Sequence, residues 1–241
     1  MTPGTSSGTA TEDETAGPAR APVPIGLAPG VPLEAAGQDA AKYGSTNPVV
    51  RRLLDRWMGR LKGVIGPIEG TVLDIGIGEG LCLDRLLTAL DATGGRDPAA
   101  CIVGIEYRHD KAAVASELKG VDVAVGDAGM LPFPDASADL VTCIEVLEHL
   151  PTVAPAVAEL ARVAKDRCIV SVPYEPWFRL GNLGRGKNVG RLGNDPEHLH
   201  MFTPGKLRRA LEASFHQVTV TPVFPWLVAE AHGPRRSPVR P

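Results

Sequence analysis

The chain has 241 residues, 25 basic and 28 acidic side chains, a formal net charge of −3 and 44% hydrophobic residues. That length suits one α/β domain plus tails, and the near-neutral balance gives no global field directed at nucleic acid or an anionic membrane. No run is apolar enough to span a bilayer and the N-terminus lacks the basic-then-apolar order of a signal peptide, so a soluble, cytoplasmic protein is expected.

Residues 1–40 are rich in Thr, Ala, Pro and Gly, cluster Glu12, Asp13 and Glu14, and carry neither a helical nor a strand period. They predict a disordered leader. The folded domain is expected over 41–232, and 233–241, with Arg235, Arg236 and Arg240 among prolines, reads as a basic flexible tail. Asn47-Pro48 is a cap followed by proline at the first helical position, and the helix behind it places Val50, Leu53, Leu54 and Trp57 on one stripe. Strands are then expected at 71–75, 101–106, 121–125, 138–144 and 167–172. Helical patterns near 80–91, 109–118 and 154–164 separate them. This alternation predicts a parallel sheet with right-handed crossovers. Thr203-Pro204 caps a last helix through Leu207, Leu211 and Phe215. His216–Phe224 and Trp226–Ala231 follow as a candidate antiparallel hairpin. Cys82, Cys101, Cys143 and Cys168 lack C-x-x-C spacing, and three of them sit in apolar runs, which predicts reduced, buried thiols.

The first strand ends in Asp74, and Gly76, Gly78 and Gly80 follow at alternate positions before Leu81 opens a helix. A strand, a tight glycine-rich turn and a helix begin an α/β nucleotide site. The spacing is G-x-G-x-G, and an acid stands two residues before the first glycine. A carboxylate there opposes a pyrophosphate but suits a ligand that carries an ammonium and a sulfonium; S-adenosylmethionine is such a ligand. Here the chain resembles the class I S-adenosylmethionine-dependent methyltransferases, over about residues 43–231. The resemblance implies a Rossmann-like, seven-stranded, mainly parallel sheet with helices on both faces, in the order 3-2-1-4-5-7-6.

By the same resemblance, Glu106 at the end of strand two receives the ribose hydroxyls. Tyr107 is a candidate for the adenine face. Asp127 and Ala128 at the end of strand three match the positions that contact adenine. Tyr43, before the first helix, is a candidate for the methionine end. Together with Asp74, Gly76, Gly78 and Glu145, these are the expected cofactor residues.

Strand four runs into Glu145-Val-Leu-Glu148-His149. A helical turn starting at Glu145 puts Glu145, Glu148 and His149 on one face, where two carboxylates and an imidazole call for a positive partner. The run resembles two metal-using subgroups, the small-RNA 3′-terminal 2′-O-methyltransferases and the ubiquinone-pathway O-methyltransferases. That resemblance implies Mg²⁺ on Glu145, Glu148, His149 and His198, lowering the pKa of a substrate hydroxyl. The alternative is metal-free, with Glu145 on cofactor or substrate and His149 packing or acting as the base. Between Tyr174 and His200, Arg179, Arg185, Lys187 and Arg191 are candidates to grip an anionic acceptor, with Trp177 and Phe178 as an apolar wall. The leading expectation is methyl transfer to a small molecule, at a hydroxyl. An RNA 3′-end 2′-O-methyltransferase and a non-catalytic S-adenosylmethionine-binding regulator are the alternatives.

Overall fold

The computed structural model describes residues 42–174 and 199–236. The leader, the 175–198 insertion with His198, and residues 237–241 lie outside the described residues, as do the expectations placed on them.

Helix α1 spans Pro48–Ile65, and the predicted cap is in place: the Asn47 side chain accepts from Val49 N at 2.9 Å and Val50 N at 3.4 Å. Gly66, at φ 64°, ends it. There follow β1 (Thr71–Ile75), α2 (Leu81–Asp91), β2 (Cys101–Glu106), α3 (His109–Ala115), β3 (Asp122–Val125) and β4 (Ala138–Ile144). A single 3₁₀ turn, Leu147–His149, precedes α4 (Val153–Val163), β5 (Ala164–Pro173), α5 (Pro204–Glu212), β6 (Phe215–Val223) and β7 (Trp226–Pro234).

The strands form one seven-stranded sheet in the order β3-β2-β1-β4-β5-β7-β6. β1 to β5 are mutually parallel, and β7 lies antiparallel to both β5 and β6. Side-chain alternation divides the core between the two faces. Leu73, Val141, Val170 and Leu227 pack towards α4 and α5; Val72, Leu140, Ile169 and Val228 pack towards α1 and α2. Strands buried on both faces explain why the sequence there reads as continuous apolar runs.

Three expectations are corrected. Phe215 opens β6 instead of closing α5, because its side chain is needed in the core beside Leu207 and Leu211. β7 runs on to Pro234, so Gly233 and Pro234 belong to the sheet. Arg235 and Arg236 are also fastened, to the carbonyls of Glu212 and Phe215 and of Ala164 and Lys165. Of the four thiols, only Cys143 and Cys168 are buried, and burial pushes both well up from the ordinary range; Cys82 is half-buried and Cys101 exposed. No helix among the described residues is long and apolar enough to cross a membrane.

Candidate active site

In an open α/β sheet, ligands bind beyond the carboxyl ends of the parallel strands, and the chemistry-bearing side chains collect there. The turn after β1 is clamped onto β2: Gly76 N and Ile77 N donate to Ile105 O at 2.7 and 3.0 Å. Gly78 N donates to Glu106 Oε2 at 2.9 Å. Glu106 Oε1 accepts from Arg108 N, also at 2.9 Å. Glu106 is buried, yet a carboxylate has about four acceptor sites, so two backbone bonds leave capacity for a ligand's hydroxyls.

The glycines of this turn answer to packing as well as to ligand approach. Gly76 has φ 78°, and a Cβ there would stand 2.2 Å from Val146 Cγ2. Gly80, at φ 81°, would meet Leu118 Cδ1 at 2.4 Å. Both conformations are costly for other residues.

Asp74 is buried beside the turn and accepts from Thr142 Oγ1 at 2.6 Å. Burial pushes its carboxyl up to about 6, the Thr142 hydrogen bond opposes this, and the Glu106 charge adds to it. Asp74, Glu79 and Glu106 are all buried around this one turn. Such a set favours a cationic ligand, which would favour the ionised form of Asp74. The donor set therefore fits S-adenosylmethionine, which carries a sulfonium and an ammonium.

At the outer strands, Tyr107 is 71% exposed at the end of β2. Asp127 is exposed at the end of β3, with Oδ1 accepting from Gly129 N at 2.8 Å. Ala128 is buried against the core. β2 and β3 are neighbours (Glu106 pairs with Val125), so these positions share one corner. Beside it opens a cleft of about 380 Å³, lined by Asp127, Met130, Leu150, Thr152 and Pro155. The loop that forms it is tied to α4 by Arg162, which donates to Glu159, Asp135 and the carbonyls of Phe133 and Leu131.

The helical face expected to carry Glu145, Glu148 and His149 differs from its prediction, and His198 lies outside the described residues. Glu145 is not the first residue of a helical turn: it sits in the left-handed region at φ 57°, and its N–H extends the β4–β5 pairing by donating to Ser171 O at 2.7 Å. The helical turn starts at Leu147, so the one-face geometry of Glu145, Glu148 and His149 is lost. The Glu145 carboxylate points instead to Lys42 Nζ and to Trp226 Nε1, which donates at 2.6 Å. Glu148 is fully buried, His149 is exposed, and the Glu148 carbonyl accepts from Leu199 N and His200 N at 2.8 and 3.1 Å. Among the described residues, no group of three or more His, Cys, Asp or Glu stands close enough to hold a metal ion.

Tyr43 is buried. Its surroundings hold what the sequence did not reveal. Lys42 Nζ lies over the rings of Trp57, Tyr43 and Trp226, 4.7, 5.0 and 5.3 Å from their centroids. Trp57 and Trp226 are stacked at 4.6 Å, and Trp57 Nε1 donates to Ser171 Oγ at 2.9 Å. Trp57 reads in sequence only as one member of a core stripe, and no local signal links it to a residue 169 positions later.

Residues 73–172 match the family of methyltransferase domains. A probable S-adenosylmethionine-dependent methyltransferase of Mycolicibacterium smegmatis is 34% identical over 178 residues, covering 72% of this chain and 58% of that protein. The demethylmenaquinone methyltransferase of Roseiflexus castenholzii is 30% identical, over 66% of this chain and 70% of its own. A ubiquinone biosynthesis O-methyltransferase of Paracidovorax citrulli is 31% identical over 42% of each. The fold is shared with a solved S-adenosylmethionine-dependent methyltransferase from Aquifex aeolicus, at a TM-score of 0.57 and 18% identity, covering 77% of this chain and 93% of that one. The chain spans a little over half the length of the mycobacterial relative.

Proposed function

The chain belongs to the class I S-adenosylmethionine-dependent methyltransferases, and on that premise we propose that it transfers the methyl group of S-adenosylmethionine to a hydroxyl of a small-molecule acceptor. The observation that carries this reading is the cluster of buried acids at the glycine turn, where burial pushes the Asp74 carboxyl up to about 6. The bound cofactor supplies an electrophilic methyl on sulfur. Asp74 faces its cationic end, Glu106 takes the ribose hydroxyls, and Tyr107, Asp127 and Ala128 frame the adenine. Gly76 and Gly78 give the backbone a close approach. Glu145 and Tyr43 border the methionine end.

Displacement at a sulfonium methyl depends mainly on alignment and exclusion of water, so few side chains need to act chemically. As the acceptor oxygen bonds to the methyl carbon, the carbon–sulfur bond breaks towards a neutral thioether and the hydroxyl proton must leave. His149, exposed beside the end of β4, is the base proposed to receive it. A hydroxyl acceptor draws support from the O-methyltransferase among the relatives. With Glu145 engaged by Lys42 and Trp226, this chemistry is assigned to side chains and Mg²⁺ is given no part.

Calorimetric titration with S-adenosylhomocysteine tests the core of the proposal. Wild type should bind, and Asp74→Asn and Glu106→Ala should lose binding by tenfold or more, that is about 1.4 kcal/mol each. A wild-type protein that gives no heat would sink the reading. With binding established, acceptors are screened by S-adenosylhomocysteine release with Mg²⁺ and with EDTA, and equal rates are expected.

A further inference from the structure

We propose that the rings of Tyr43, Trp57 and Trp226, together with the Glu145 carboxylate, form a receptor for an onium cation, and that Lys42 is the chain's own occupant of it. Three aromatic rings within about 6 Å of one positive charge is the arrangement by which proteins recognise quaternary ammonium groups. Here the distances from the Lys42 ammonium are 4.7, 5.0 and 5.3 Å. The two tryptophans have anchors other than the lysine. Trp57 is fixed by its bond to Ser171 Oγ, which in turn donates to Leu227 O at 2.9 Å, and Trp226 is fixed by stacking on Trp57 and by donation to Glu145. An ion pair alone would need only Glu145.

Two further observations mark this as a built site. Glu145 takes up a left-handed conformation, which non-glycine residues adopt at a cost and which collects at functional positions. Its backbone remains in the sheet through Ser171, while the carboxylate meets Lys42 Nζ and Trp226 Nε1. The receptor also adjoins the glycine turn: Tyr43 stacks under Arg85 of α2, 5.5 Å from its centroid, and packs in one cluster with Ile77 and Leu83. Lys42 and Glu145 are the partly exposed members, at 22% and 18% of their side-chain surface, so a ligand displaces the lysine and leaves the rings in place.

The inference rests on the methyltransferase reading for the source of the cation. It is either the sulfonium or ammonium of the methyl donor, or an ammonium on the acceptor. Binding studies separate these, in a Trp177→Phe background that leaves Trp57 and Trp226 as the only tryptophans. The chain with Lys42, Lys42→Met and Lys42→Gln are titrated with tetramethylammonium chloride at constant ionic strength, following tryptophan fluorescence. tert-Butanol serves as the neutral probe of similar shape. Saturable binding is expected, about tenfold tighter once Lys42 is replaced, and lost in Glu145→Gln and Trp226→Leu variants that retain native circular dichroism.

Competition by S-adenosylmethionine assigns the receptor to the donor: to the sulfonium if S-adenosylhomocysteine, a thioether that keeps the amino-acid ammonium, does not compete, and to the ammonium if both compete. Tetramethylammonium binding undiminished on either cofactor-loaded form assigns it to the acceptor. If both lysine variants show no saturation, or respond equally to tert-butanol, the receptor does not exist and Lys42 only fastens the segment before α1. Failure to bind S-adenosylhomocysteine with the onium response intact would instead remove the methyltransferase reading and leave the receptor standing.

Discussion

Asp74 concentrates the conflict between stability and binding in a single carboxyl. Its folded pKa of about 6 lies above the ordinary 3.8, so folding favours the protonated form. The group's contribution to stability is complete below pH 3.8 and is lost as the pH rises through 6. The gap of roughly two pKa units corresponds to about 3 kcal/mol. Asp74→Asn should therefore melt higher than wild type at pH 8, with the difference closing towards pH 4, while cofactor binding is lost. Thermal melts across that range check it, and a difference independent of pH would contradict it. The Thr142 hydroxyl acts in the opposite sense: by donating to Asp74 at 2.6 Å it favours the charged form. Thr142 thereby tunes Asp74, although in sequence it is one polar position inside a buried strand.

Among the elements, the β1–α2 turn and the turn after β4 are fitted to each other. Gly76 combines φ 78° with a Cβ position only 2.2 Å from the Val146 side chain. A methyl group there meets both a strained conformation and a clash, together about 3 kcal/mol. Gly76→Ala should lose roughly that stability in urea, and Gly76→Ala/Val146→Ala should recover the steric part and leave the conformational part. Full recovery would show that the positive φ costs nothing. The glycine spacing was legible in the sequence, but its partner was not, because Val146 arrives from the turn after β4, 70 residues further on.

At the scale of the whole molecule, the described residues form one sheet between two apolar layers. Leu160 on α4 belongs to one layer and Leu86 on α2 to the other, and both are fully buried. Truncating either to alanine should cost about 2–5 kcal/mol. Since the sheet separates them, the double variant should be additive to within about 0.5 kcal/mol. A larger departure in equilibrium unfolding would mean that the sheet transmits packing between its faces. The sequence by itself determined the local order: the apolar strands, the Asn47 and Thr203 caps, the glycine turn, and the acids at the ends of β1 and β2. Each of these is written in neighbouring residues through periodicity, capping chemistry or backbone freedom. Only the tertiary structure decided which side chains face one another at the carboxyl end of the sheet. Lys42, Trp57, Glu145 and Trp226 come from four separate segments. Their meeting depends on β7 being inserted beside β5, so that Trp226 stands opposite Pro173. The E-x-x-E-H run suggested a helical face, whereas strand pairing through Ser171 and the pull of Lys42 and Trp226 turned Glu145 away from it. Long-range contacts of this kind leave no period in the chain, because the energy that forms them comes from packing between elements.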